Sequence, residues 1–455
     1  MSDEFVSVRV HSWLNSVPPM PLPELIEIVP LEKPVQAEIT VPGSKSITNR
    51  ALILAALADG ETRLRGALWS EDTQVMVDGL RALGFEVSVE ADLQEFCNRT
   101  ITVQGLGGNI PRSGTLDKPL EIFAANAGTA ARFLTALVCL GGGIYRVQGL
   151  KRMHERPQEA LFDALRELGY CVDSVNDKLP ATIHGSGPKP GAHCVVSIGE
   201  SSQFASALLL CARTGGWHVN VVGENAEESP YVAMTALLVE RFPKRGGEFP
   251  IEPDASSCSY FWAANDLMAP RKLTRWKPGH EPPLSDIVVE PFPASGWQID
   301  ARFLTQERGR VVSRVSDLGD SILTAIVIAP FDHEPTKFVE LGRLRIQECE
   351  RVIAMRIELT KCGAKVVEGG DTLEVFPSRH HGAEIETYND HRMAMCFSIL
   401  GLKVPGIKIK NPACVKKTFP NFFQKLAAPP PPGLGATLLD AKTGRKLGVD
   451  ELFAD

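Results

Sequence analysis

The sequence predicts an α/β protein of two globular domains, on three observations. One layout recurs along the chain: an amphipathic helix, a Gly-containing turn, then a short β-rich run. "VMVDGLRALGFEVSV" from Val75, "LFDALRELGYCVDSV" from Leu161 and "AMRIELTKCGAKVVE" from Ala354 place apolar residues at helical spacing before Leu-Gly or Cys-Gly, after which the periodicity becomes that of a strand. These copies lie about 85 residues apart and then much farther, beyond the roughly 20 to 50 residue periods of solenoids and propellers, so a few large α/β units fit better. The chain has 455 residues, 44% hydrophobic and 23% charged, enough for a large core and too many for one ordinary domain.

From the N-terminus, "MSDEFVSVRVHSWLNSVPPMPLP" carries acidic residues early and lacks an uninterrupted apolar stretch, so it does not read as a secretory signal and a cytoplasmic protein is expected. The Pro-rich lead-in around Pro18 to Pro23 and the tail over 427–455, which starts "AAPPPPGLG", have turn or linker compositions and read as appendages. No apolar run approaches the roughly 20 residues that span a bilayer; "SILTAIVIAPF" from Ser321 reads as a buried helix. The ten cysteines are scattered without C-x-x-C spacing, which predicts free thiols and no zinc site. The sequon at Asn98 matters only in a secreted protein and is incidental here. The net charge of −7, with no long Lys/Arg block, argues against nucleic acid as a partner. Any anion must then be met by local cations.

Five apolar helical patterns begin with small polar residues: "PGSKSITNRALILAAL" (from Pro42), "NAGTAARFLTALV" (from Asn126), "ESSQFASALLL" (from Glu200), "DASSCSYFWAAN" (from Asp254) and "GDSILTAIVIA" (from Gly319). Ser, Thr, Asp and Asn cap helices by accepting first-turn N–H groups, which is the ordinary reading of each. Two features point further. Gly43, Gly128 and the Ser201-Ser202 pair would let a ligand approach the backbone, and Lys45, Arg50 and Arg132 sit close by. A helix N-terminus with added cations favours phosphate or carboxylate.

More cations lie in "KRMHERP" (from Lys151), "RLRIQECER" (from Arg343), "YNDHRMAM" (from Tyr388) and "CVKKTFP" (from Cys414). Each alone reads equally well as a solvated surface group. On an acidic chain, the concentration of cations beside Gly, Ser and Thr helix entries suggests a small polyanionic ligand, for which the planar Arg fork is suited. "PGSKS" lacks the G-K-[ST] order and the earlier Gly of a P-loop, and "GLGGN" at Gly105 is a lone glycine cluster, so an ATP-using kinase is disfavoured.

The segments "PGSKSITNRALILAALADG", "NAGTAARFLTALV", "RMHERP", "SSQF", "DASSCSYF", "YNDHRMAMCFS" and "KKTFPNFF" resemble, in order, the signature segments of the EPSP synthase (3-phosphoshikimate 1-carboxyvinyltransferase) family, from about Leu31 to Leu426. The resemblance implies the two-domain enolpyruvyl-transferase fold, an inside-out α/β barrel whose domains each hold three βαβαββ repeats with helix N-termini facing the interdomain cleft. It implies a first domain of 1–42 plus 253–455 and a second of 43–252. It implies a cytoplasmic, monomeric transferase acting on shikimate 3-phosphate and phosphoenolpyruvate in aromatic amino-acid biosynthesis, with no metal or organic cofactor.

Carried over by motif, Lys45 would bridge the two substrates, with Ser46, Arg50, Ser201, Ser202 and Tyr231 on phosphoshikimate and Gln203 between them. Phosphoenolpyruvate would meet the Gly128 backbone, with Asn126 and Thr129 beside it, and Arg156, Arg351, Arg392 and Lys417. Asp320 would hydrogen-bond the attacking hydroxyl, Glu348 would protonate C3, and Lys417 would assist proton transfer or phosphate departure. Read as plain residues, Asp320 is a helix cap, and Glu348 and Lys417 are a surface ion pair.

Five departures stand out. Gln347 replaces the Lys of the family's R-V-K-E, with Arg343, itself in place of an Asn, and Arg345 near enough in sequence to supply the charge. Glu228 takes the place of a phosphate-binding Ser, with Ser229 next to it. Phe133 replaces a common Pro and Ala125 a Gly, both bordering the phosphoenolpyruvate helix, where the family's inhibitor glyphosate competes. The rival expectations are enolpyruvyl transfer to a UDP-amino sugar and a catalytically silent ligand-binding homologue.

Overall fold

The computed structural model describes residues 22–223, 229–268, 287–306 and 311–454, so Glu228 and the first 21 residues lie outside the described residues. The three recurrent segments form as expected: helices Glu71–Ala82, Glu159–Glu167 and Arg351–Lys361 lead to strands Val87–Ala91, Cys171–Asp173 and Lys365–Glu368. They also end alike. Gly84, Gly169 and Gly363 have φ of 91°, 89° and 89°. The next N–H reaches back five residues in each, from Phe85 to Leu80, Tyr170 to Leu165 and Ala364 to Leu359. This is the Schellman closure, which needs a left-handed residue after the helix and so selects Gly.

Each unit feeds a four-stranded sheet with one pattern: a parallel pair followed by two antiparallel neighbours. The spatial orders are Gly247–Pro250, Asp59–Leu68, Asn98–Leu106, Val87–Ala91, then Leu120–Phe123, Ile144–Gln148, Ala181–His184, Cys171–Asp173, and then Val311–Ser313, Thr336–Val339, Leu373–Phe376, Lys365–Glu368. Strands His193–Ser197 and His218–Val222 form a parallel pair, as do Ala37–Ile39 and Ile287–Val289.

Buried apolar side chains fall into two clusters. One runs from Ile47 to Ile251, and the other joins Leu22–Val41 to residues from Cys258 onward. Helices apolar on every side sit at the centres: Lys45–Leu57 and Gly128–Val138 in the first cluster, Ala255–Met268 and His391–Gly401 in the second. Their N-terminal ends converge on the cleft between the clusters, because the small polar residues that begin each helix line it. No helix among the described residues is long and apolar enough to cross a membrane.

The tail is not an appendage. Strand Leu438–Asp440 pairs antiparallel with Leu25–Ile28, completing a sheet with Ile407–Lys410 and Glu384–Ile385. Leu434, Leu438, Leu447 and Leu452 are buried in the second cluster. The Pro-rich turn works as a connector, with Glu38 donating its N–H to the Pro431 carbonyl at 2.8 Å.

Candidate active site

The cleft has a volume of about 690 Å³, and of the substrate-contact and catalytic residues carried over from the family motifs only Gly128 does not line it. Gly128 lies just behind the wall: a Cβ there would stand 2.6 Å from Arg156 Nη1, so only Gly lets that guanidinium lie across the helix start. Asn126 and Thr129 line the same wall.

The helix Lys45–Leu57 presents Lys45, whose Nζ pairs with Asp72 Oδ2 at 3.0 Å, and Ser46, whose carbonyl accepts from Arg50 Nη1 at 2.9 Å. Arg50 also donates to Thr235 Oγ1 at 2.7 Å and Ser206 Oγ at 3.0 Å and stacks 5.4 Å from the Phe133 ring centroid. Arg132 donates to Gln203 Oε1 at 2.6 Å and to the Pro157 carbonyl at 3.0 Å, bracing Gln203 at the cleft. Ser201 is a true cap, accepting the Gln203 N–H, and Ser202 starts the helix it caps. Tyr231 is half-buried at the cleft, and desolvation, followed by the nearby Asp320 and Asp300 charges, pushes its phenol well above its ordinary range.

The opposite wall carries the carboxylates. Asp320 is not a helix cap: its Oδ1 accepts Arg314 Nη2 at 2.9 Å and its Oδ2 pairs with Arg392 Nη2 at 3.2 Å. Arg392 is oriented by Ser256 Oγ at 3.1 Å, and Asp254 fixes that serine at 2.7 Å while capping Ser257. Burial favours the neutral acid at Asp320, but the Arg392 and Arg314 guanidiniums outweigh it and hold the carboxyl well below the usual range.

Glu348 accepts from Lys417 Nζ and Arg351 Nη2, each at 2.9 Å. Arg351 is locked by Asp390 at 2.7 Å and by Gln347 Oε1. Burial again opposes ionisation of Glu348, and Lys417 followed by Arg351 overcomes it. For Lys417 burial disfavours the ammonium, yet Glu348 and Asp72 more than offset that and raise its pKa. Neighbouring His391 is kept neutral by burial, its pKa pushed down to about 3. The arrangement sets several cations around two ionised carboxyls in one cleft, chemistry suited to anionic ligands.

A profile of the EPSP synthase (3-phosphoshikimate 1-carboxyvinyltransferase) family matches residues 29–245 and 239–426. This chain belongs to the EPSP synthase family. Among curated relatives, the 3-phosphoshikimate 1-carboxyvinyltransferase of Opitutus terrae is 37% identical over 445 residues, covering 90% of this chain and 98% of that protein. The protein of the same name from Trichormus variabilis is 35% identical, with 88% and 98% covered. In fold, the EPSP synthase of Acinetobacter baumannii aligns with a TM-score of 0.67 at 18% identity, covering 91% of this chain and 99% of that one. The enolpyruvyl transferase NikO from Streptomyces tendae aligns at 0.60 and 15%, covering 91% and 98%. The enolpyruvyl-transferase fold expected from the sequence is therefore present in this family member.

Within this EPSP synthase family site, the departures resolve differently. Arg343 lines the cleft and donates to the Glu200 carbonyl on the facing wall. Arg345 does not reach the cleft. It is held outside by Glu350, Glu368 and Asp371, which corrects the expectation that it could replace the charge missing at Gln347. Ala125 holds φ of 45°, a left-handed conformation where the family's Gly is the easier residue.

Sequence reasoning missed Asp72, Asp300 and Arg314. Each is a lone charge whose meaning comes from a distant partner, whereas Asp254, Asp390 and His391 stood inside motifs already quoted. One group of possible metal ligands occurs among the described residues, Cys171, Asp173 and His184, whose ligand atoms lie within 4.8 Å on a sheet away from the cleft.

Proposed function

We propose that this chain transfers the carboxyvinyl group of phosphoenolpyruvate to the 5-hydroxyl of shikimate 3-phosphate, releasing phosphate. The observation that carries the reading is one cleft, in a member of this family, that gathers Lys45, Arg156, Arg351, Arg392 and Lys417 around two ionised carboxyls, Asp320 and Glu348. Cations opposed across a low-dielectric cleft suit two anionic substrates held together.

In the first step the hydroxyl oxygen bonds to C2 of phosphoenolpyruvate, the hydroxyl proton leaves and C3 gains a proton. In the second the C2–O bond to phosphate breaks and C3 loses a proton, restoring the double bond. Asp320, fixed by two guanidiniums, is proposed to hydrogen-bond the attacking hydroxyl. Glu348 and Lys417, in direct contact, are proposed to handle the proton at C3 and the departing phosphate. Lys45 would bridge the substrates. Ser46, Arg50, Ser201, Ser202 and Tyr231 would hold phosphoshikimate with Gln203 between, and Asn126, Gly128, Thr129, Arg156, Arg351 and Arg392 phosphoenolpyruvate. Arg343 is proposed to supply the cation that Gln347 does not.

A division into 1–42 with 253–455 and 43–252 as two domains belongs to the same reading and is supported by the two apolar clusters. A cytoplasmic location is supported by ten free cysteines. The proposed protein acts as a monomer on small anions, without nucleic acid.

The test is phosphate release by purified protein given both substrates, with each alone as control. Release is expected only with both, and Asp320→Ala should lower it by roughly 10² to 10⁴-fold. Binding of both substrates without release would overturn the proposal.

A further inference from the structure

The cleft holds a carboxyl that the roles above leave unused. Asp300, in the 3-10 turn Ile299–Leu304, is buried and lines the cleft. Its Oδ1 accepts the backbone N–H of Ser321, the residue after Asp320, so the cap that a plain reading would give to Asp320 is supplied by Asp300. Asp300 also presses on the residue before Asp320. A Cβ at Gly319 would stand 2.9 Å from Asp300 Oδ2 and 2.6 Å from Ile299 Cγ2. Gly319 itself holds φ of 49° and ψ of −132°, a backbone that side chains disfavour. The turn that carries Asp320 is thus clamped on both sides by Asp300.

Two buried carboxyls therefore flank one turn, and the guanidiniums of this corner are not shared evenly between them. Arg314 and Arg392 both pair with Asp320, at 2.9 Å and 3.2 Å, and no cation among the described residues forms an ion pair with Asp300. Adjacent carboxyls cannot both ionise cheaply, and the paired one takes the charge.

We propose that Asp300 is a positioning residue for the reaction, which fixes the turn presenting Asp320 and sets how much negative charge that turn carries. This rests on the function proposed above. The groups facing Asp300 are Asp320 and the Ser321 N–H on the turn, Arg392 from helix His391–Gly401, Asp254 and Cys258 at helix Ala255–Met268, and Tyr231 from helix Ser229–Arg241. Burial and then the Asp320 charge raise the Asp300 carboxyl to about 7, with Arg392 and the Ser321 N–H opposing them. Below that pH the pair carries one negative charge. Above it the pair carries two, beside the place proposed for an anionic acceptor.

The experiment compares wild type, Asp300→Asn, Asp300→Ala and Asp320→Asn by phosphate release with shikimate 3-phosphate and phosphoenolpyruvate across neutral and alkaline pH. For wild type, kcat/KM for shikimate 3-phosphate should fall as pH rises through the Asp300 ionisation. Asp300→Asn keeps an oxygen for the Ser321 N–H, so it should flatten that fall at the cost of a several-fold lower kcat. Asp300→Ala, which frees the turn, should lower kcat at every pH by up to about 100-fold.

An unchanged alkaline fall in Asp300→Asn overturns the charge role. An Asp300→Asn as inactive as Asp320→Asn at every pH overturns positioning, because the carboxyl would then act on substrate directly. Carboxyl-carbon NMR of unmutated protein provides a reading independent of variant folding: one buried Asp should titrate near neutrality, and none doing so overturns the inference. Wild type that releases no phosphate fails the proposed function itself, whereas turnover with matching profiles fails this inference alone.

Discussion

Lys417 Nζ and Glu348 Oε1 lie 2.9 Å apart, and both residues line the cleft, so of the two readings the sequence offered, a working pair or a plain surface contact, the first has them in the right place. Groups that act as a unit lose function non-additively. Lys417→Met and Glu348→Gln should each lower kcat by roughly 10² to 10⁴-fold, and the double variant should be little worse than the poorer single one in steady-state phosphate release. Multiplied losses would mean the two act independently. At this scale the cations were legible because Lys45 and Arg50 stood at a Gly- and Ser-containing helix start and the others in compact motifs of their own. Asp72, Asp300 and Arg314 were not, since a single charged residue gains its role only when folding brings Lys45, Ser321 or Asp320 to it.

Elements repeat where one local rule does. Helix, Leu-Gly or Cys-Gly, strand was readable because the Schellman closure is written within a few residues, and Gly84, Gly169 and Gly363 share it. Gly169 isolates the conformational term: it has φ of 89° and a Cβ there would meet nothing within 4 Å. Gly169→Ala should therefore cost about 1 kcal/mol in urea unfolding, from backbone strain alone. A neutral result would show that the turn relaxes. The tail was misread for the opposite reason. Its Pro-rich start has a linker composition, while strand Leu438–Asp440 is defined by pairing with Leu25–Ile28 at the far end of the sequence. Leu438 is 1% exposed, so Leu438→Ala should cost about 2 to 5 kcal/mol, read from the urea midpoint, whereas an appendage would tolerate it.

Across the whole molecule, the two apolar clusters are joined by a buried polar knot. Glu95, 3% exposed, comes from the side of the cluster that starts at Ile47, while Asn421 precedes and Lys425 lies within the short helix Phe422–Ala427 of the other. Lys425 Nζ meets Glu95 Oε2 at 2.7 Å and Thr40 Oγ1 at 2.6 Å. Asn421 Nδ2 donates to Glu95 Oε1 at 2.7 Å, and its Oδ1 accepts the Cys97 thiol at 2.9 Å. Phe96 packs edge-on against Phe453 of the tail, with centroids 5.3 Å apart, so the last turn of the chain covers this junction. A buried pair contributes little over a nonpolar replacement, but losing one partner strands the other charge. Lys425→Met should accordingly destabilise by about 3 to 5 kcal/mol, and adding Glu95→Gln should recover part of that loss, because no uncompensated carboxylate then remains. The measurement is a double-mutant cycle in urea. Equal costs for the single and double variants would mean that shape and hydrogen bonds, rather than the ion pair, hold the two clusters together.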